Sequence, residues 1–175
     1  MKAGAAIRKR AISCVEAVQA ALERLRAVNA EVNAVTVDLS EDALAAAQRA
    51  DDVLQHGIAV GPLHGVPITI KENTDQLGQS NPNGIANFAH VIATEDAPIV
   101  ANLRRAGAII IGRTNTPEFS YRWFTDNPLR GLTTNPWAAD RTPGGSSGGA
   151  AIQRRLLDLS LRLQLQLLAL PQGLV

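Results

Sequence analysis

The chain has 175 residues, a formal charge of +1, 46% hydrophobic residues and 19% charged ones. That length and balance fit one globular domain with enough apolar side chain for a core, and they exclude a disordered chain. The near-neutral charge gives no reason to expect nucleic acid as a partner.

No uncharged run approaches the ~18 residues of a membrane helix, so no membrane partner is expected. The basic opening MKAGAAIRKRAISCVEAV is not expected to be a signal peptide, because Glu16 interrupts its apolar stretch almost at once. The single cysteine, Cys14, cannot form an internal disulfide, and a reducing cytoplasm is the expected compartment. His56, His64 and His90 are scattered without ligand spacing, so no metal site is expected.

Residues 11–28 place Ile12, Val15, Val18, Leu22 and Leu25 at steps of three and four, which predicts an amphipathic helix. Asn29 and Asn33 are expected to break it. Ser40 is expected to cap a second helix, with Glu41 and Asp42 in its first turn and Gly57 beyond its end. In GPLHGVPITIKEN, Pro62, Gly65 and Pro67 set bends, and Val66–Ile70 predicts a short buried strand ending at Lys71.

From Thr94, TEDAPIVANLRRAG predicts a capped helix with Gly107 past its end, followed by a buried strand, Ala108–Ile111, closed by Gly112. Helix-then-strand order recurs, so the fold class is α/β. The expected organisation is a helical part, 1–57, a strand and loop core, 58–150, and a tail, 151–175.

Residues 113–142 are rich in Asn, Thr and Pro and predict loops with at most one short helix near Pro117. Phe119, Tyr121, Trp123, Phe124 and Trp137 lie here. They are expected to pin this long loop to the core; the other reading is that one of them lines a substrate pocket.

GGSSGG, from Gly144 to Gly149, supports several readings. A flexible linker has this composition. A phosphate-binding loop would need Lys and a hydroxyl where Ala150 and Ala151 stand. A nucleophile elbow would need a strand before it and a later histidine, but Pro143 precedes and no histidine follows. In a serine relay, glycines let the backbone close on a substrate and hydroxyls pass protons to a base. Without a usable histidine, the candidate base is a neutral lysine, and Lys71 ends an apolar strand. Lowering a lysine pKa from about 10.4 to about 7–8 takes roughly 4 kcal/mol of differential destabilisation. The simpler reading is a solvated lysine at a strand end.

GVPITIKEN, then NTPEF, NPW and TPGGSSGGA, in that order over residues 55–150, resembles the amidase signature family. The resemblance implies the N-terminal part of a mixed-sheet α/β/α sandwich, hydrolysis of a small-molecule amide, a Ser–cis-Ser–Lys triad, and no metal or organic cofactor. Lys71 matches the catalytic lysine and Ser146 the bridging serine, beside which a cis peptide is implied. Gly144, Gly145, Ser147 and Gly148 match residues that hold the loop. The nucleophile and oxyanion donors of that family lie downstream in a segment like G-T-D-x-G-G-S, and no such segment is present in these residues.

Ten of the last 25 residues are leucine, alternating from Leu157 to Leu167. The period of two asks for a strand while Leu, Gln and Arg favour helix. That disagreement suggests a shifted reading frame near Ala151, the rival being a genuine leucine-rich tail. The expectation is an amidase-type hydrolase chain that lacks its nucleophile and is inactive. The alternatives are a non-catalytic binding or regulatory fragment and a protein like the amidase component of an amidotransferase.

Overall fold

The computed structural model describes residues 2–153, and residues 154–175 of the expected tail, with all of its leucines, lie outside them. Four helices precede or flank a three-stranded sheet: α1 Lys2–Arg8, α2 Cys14–Val32, β1 Val35–Asp38, α3 Ser40–Gln55, β2 Pro67–Lys71, α4 Pro98–Arg105 and β3 Ile109–Thr114. Two short 3-10 turns lie at Ala86–Phe88 and Glu118–Ser120, and residues 148–153 are helical.

The sheet order is β1-β3-β2, with β1 antiparallel and β2 parallel to β3. Strand β3 is buried along its length and alternates its side chains. Ile109 and Ile111 join the core under α2 and α3, with Val18, Leu22 and Ala47. Ile110 faces the other way and packs with Ile70, Val100 and Leu39 near α4. Helices therefore cover both faces of a mixed sheet, as an α/β/α sandwich requires.

Several boundaries differ from the sequence expectation. The first long helix runs through Asn29 to Val32 and stops at Asn33, which takes the left-handed conformation at φ 48°. Asn29 does not break the helix because its amide is used. Its Oδ1 accepts from Ala34 N and Val35 N, and its Nδ2 donates to Val35 O, turning the chain into β1.

At the start of α3, Ser40 is the first helical residue. Its N–H donates to Asp38 Oδ1 at 2.8 Å, and its hydroxyl bonds the same oxygen. Helix α4 starts at Pro98 rather than Thr94, because Asp96 instead accepts from Leu77 N and pairs with Arg104.

Strand β3 does not close at Gly112 but passes through it. A Cβ there would stand 2.7 Å from Val35 Cγ1 and 2.8 Å from Val37 O, so glycine lets β1 approach. Helix α1 and strand β1 carry too short a pattern to stand out in the sequence.

At the other end of α2, Ser13 and Glu16 form a reciprocal capping box. Asp51 from α3 accepts from Cys14 N at 2.6 Å and Val15 N at 3.1 Å. The carboxylate meets the positive end of α2 and joins the two helices.

Candidate active site

Lys71 is the last residue of β2, at the carboxyl end of a strand parallel to β3. Ser146 lies in the loop that leads into helix 148–153. The two meet across 75 residues of sequence: Lys71 Nζ donates to Ser146 Oγ at 2.9 Å. Burial lowers the Lys71 ammonium pKa from its ordinary value, since partial desolvation disfavours the charged form. The Gly145–Ser146 peptide is cis.

The strand and the loop are also tied beside this contact. Thr69 Oγ1 donates to Gln153 Oε1 at 2.9 Å, fixing helix 148–153 to β2. Thr125 Oγ1 donates to Gly144 O and accepts from Gly148 N, both at 3.0 Å.

Three of the four glycines of GGSSGG serve close approach to the chain itself, Gly145 and Gly149 to backbone and Gly148 to a side chain. A Cβ on Gly145 would lie 2.5 Å from Arg122 O, and one on Gly149 2.7 Å from Ala34 O and Asn115 N. A Cβ on Gly148 would collide with the Thr125 hydroxyl. Gly144 has open space around it and takes φ 90°. Ser147 is exposed; its carbonyl accepts from Ala151 N at 3.0 Å, and its hydroxyl has no partner among the described residues.

The aromatic rings do not pin the 113–142 loop to the core. Tyr121 is 90% exposed, Trp123 88% and Trp137 66%, and Phe119 and Phe124 are also exposed. Polar side chains do the pinning. Asn115, Thr116, Thr125 and Thr133 are fully buried, and Asn127 nearly so.

Asn115 Nδ2 donates to Gly131 O and Thr133 Oγ1, Asn127 Nδ2 to Asn115 Oδ1 and Thr116 O, and Thr133 Oγ1 to Asn33 O. An irregular buried segment cannot pair its backbone in a ladder, so Asn and Thr supply the partners. Phe119, Tyr121 and Trp123 instead line an open cleft of about 340 Å³ with Ser120, Arg122, Gly145 and Ser146. A larger cavity, about 440 Å³, lies far from Lys71 and Ser146 between the start of α2 and the end of α3, lined by Arg10, Ser13, Asp51 and Leu54.

Behind Lys71 stands a charged cluster that sequence reading missed. Glu72 has no exposed surface. Its carboxylate accepts from Arg130 Nε and Nη2 at 2.9 and 2.5 Å and from Thr36 Oγ1 at 3.0 Å. Arg113, also buried, donates to Glu72 O, Thr74 O and Ser80 O. Desolvation lowers the Arg113 pKa, with opposed contributions from Glu72 and Arg130. A charged residue next to the candidate lysine was the available signal; its partner 58 residues away was not visible.

The chain is similar to known proteins over most of its length. The Amidase family model matches residues 16–159. An indoleacetamide hydrolase of Bradyrhizobium diazoefficiens is 62% identical over 146 residues, 83% of this chain and 28% of that protein. A fatty-acid amide hydrolase 2-B of Danio rerio is 42% identical over 150 residues, 82% of this chain and 28% of that protein. The chain thus spans 28% of the length of either curated relative.

Among solved structures, a bacterial aryl acylamidase of the amidase signature family superposes with a TM-score of 0.80 at 26% identity, covering 84% of this chain and 31% of that one. The peptide amidase of Stenotrophomonas maltophilia gives 0.78 at 29% identity, covering 87% and 33%. With the family match spanning most of the chain and the same fold around it, the chain belongs to the amidase family.

Proposed function

We propose that these residues carry the lysine and bridging-serine part of an amide-hydrolysing proton relay. The reading rests on the 2.9 Å contact between Lys71 Nζ and Ser146 Oγ. Burial lowers the Lys71 pKa, and in this reading Lys71 acts as the base when its amine is neutral. Its lone pair takes the Ser146 hydroxyl proton as Ser146 takes a proton from a nucleophilic hydroxyl placed against it. That oxygen adds to the amide carbon, the amine leaves with the proton returned along the same path, and water then frees the acid.

In this reading Gly145 and Gly148 hold the loop by close approach, and Gly144 and Ser147 through their carbonyls, which accept from Thr125 Oγ1 and Ala151 N; the Ser147 hydroxyl takes no part. No G-T-D-x-G-G-S-like segment occurs in the 175 residues, and in this reading these residues alone supply no nucleophile. Loss of a relay's nucleophile can cost as much rate as loss of the whole relay.

The substrate class we favour is a small aryl amide. Two observations support it: the 62% identity to a protein named indoleacetamide hydrolase, and the Phe119, Tyr121 and Trp123 rings beside Ser146. A role like that of an amidotransferase component has weaker support, from 39% identity to a glutamyl-tRNA(Gln) amidotransferase chain of Alkaliphilus metalliredigens. The second reading is a non-catalytic binding fragment, favoured by the absent nucleophile segment. We place the chain in the cytoplasm, where its lone buried Cys14 stays reduced. No helix among the described residues is long and apolar enough to cross a membrane.

The test is ammonia release from indole-3-acetamide and phenylacetamide, with Lys71→Ala as control, followed by mass spectrometry of the protein. No turnover and no acylated serine is expected. Lysine-dependent turnover, or an acyl adduct on any serine, would show that the chain holds a working nucleophile.

A further inference from the structure

We propose that the buried Glu72–Arg130 pair is a positioning device that sets the separation of Lys71 and Ser146; this rests on the relay reading above. The pair joins the two supports of that contact. On one side, Glu72 follows Lys71 at the end of β2. Its N–H donates to Thr114 O at 3.0 Å, its carbonyl accepts from Arg113 Nη2 at 2.9 Å, and its carboxylate reaches Thr36 on β1.

On the other side, Arg130 belongs to the loop that steadies the serine. Its N–H donates to Asn127 Oδ1 at 2.7 Å, and Asn127 bonds Asn115 and Thr116. Two residues before Asn127 stands Thr125, whose hydroxyl takes both Gly144 O and Gly148 N. A shift of Arg130 against Glu72 therefore passes through the 125–133 loop to the backbone on either side of Ser146.

The pair suits a rigid spacer. Arg130 presents two donors to one carboxylate, a geometry that fixes angle as well as distance. Glu72 is fully desolvated while the Arg130 side chain is 27% exposed, so the carboxylate has no water to trade for the guanidinium. A lysine at 130 would keep the charge and lose the fork. Buried pairs are weak stabilisers in general, which leaves specificity of geometry as the role.

The test uses the full chain carrying 13C-labelled lysine. Lys71 is one of only three lysines, with Lys2 and Lys9, so its Cε signal is assigned by Lys71→Met. The variants are Glu72→Gln, Arg130→Lys and the double variant Glu72→Gln with Arg130→Met, which removes both charges and leaves neither buried alone. Each is checked for fold by circular dichroism.

In the double variant the Gly148 amide is expected to exchange at least tenfold faster while the α2 amides keep their rates. The Lys71 titration midpoint is expected to move at least half-way toward those of Lys2 and Lys9. Arg130→Lys is expected to fall between. Unchanged Gly148 exchange in the folded double variant overturns the proposal. If the double variant does not fold, Glu72→Gln is judged by the same criterion. A wild-type Lys71 that titrates together with the other two lysines sinks the relay reading instead, and the Gly148 exchange still decides the positioning.

Discussion

Thr125→Val asks how much of the Ser146 loop hangs on one hydroxyl. Thr125 is fully buried, and its Oγ1 serves Gly144 O and Gly148 N, each at 3.0 Å. Valine has the same shape, so no cavity opens; only the hydrogen bonds go. The buried Gly148 N–H is left without an acceptor, which costs about 1–3 kcal/mol, while the half-buried Gly144 carbonyl adds at most about 1 because water reaches it. The sum is about 1–4 kcal/mol, centred on about 2.5. Thr125→Ser keeps the hydroxyl and loses one methyl, worth about 1 kcal/mol.

In urea, with a slope of about 2 kcal/mol/M for a chain of this size, Val should lower the midpoint by about 1 M and Ser by about half that. The assay is equilibrium unfolding followed by circular dichroism. Valine lowering the midpoint no more than serine does would refute the claim that this hydroxyl is the loop's anchor.

Lys71→Met should raise stability at neutral pH. The folded pKa of Lys71 is lowered, so keeping its proton opposes folding below the unfolded pKa of about 10.5, and that opposition fades as pH rises through the folded value toward it. A gain in urea midpoint at pH 7 that shrinks as pH rises toward 10.5 is expected, and a loss at pH 7 would contradict it. Cys14 has the opposite sign. Burial first, then the Asp51 hydrogen bond and charge, push its thiol from 9.0 to about 12. Its stabilising effect is full below about pH 9 and falls as pH climbs toward 12. Cys14→Ala should flatten the alkaline arm of the stability profile, and an unchanged arm would discount the thiol. Gly149→Ala should destabilise by about 1–3 kcal/mol, measured by thermal unfolding, although alanine gains up to about 1 kcal/mol over glycine in a helix. The clash wins because the Cβ would lie 2.7 Å from the Ala34 and Asn115 backbone, which cannot turn aside.

Much of this was legible in the order of residues. The three- and four-residue spacing of Ile12 to Leu25 is a local property, and it survives as α2. The β-branched run ending at Lys71 forms β2, and the helix before Gly107 leads into the isoleucines of β3. Residue types offered Lys71 as a candidate base and left the role of GGSSGG open, and only the resemblance in motif order matched Lys71 to a catalytic lysine and Ser146 to a bridging serine. Helix ends were less legible. Asn29 reads as a breaker in one dimension and becomes a strut once β1 folds back onto it.

The sequence by itself determined which segments bury an apolar face and which residues have the chemistry for proton transfer, since periodicity and functional groups are carried within short windows. Tertiary structure alone decided the partnerships. It brought Lys71 to Ser146, paired Glu72 with Arg130, gave the pinning expected of the rings in residues 113–142 to buried Asn and Thr side chains, and gave Gly145 and Gly149 their backbone neighbours. The physical reason is that a buried polar group must find its partner wherever the chain brings one within about 3 Å. That distance is set by the packing of the whole sheet, not by neighbours along the chain.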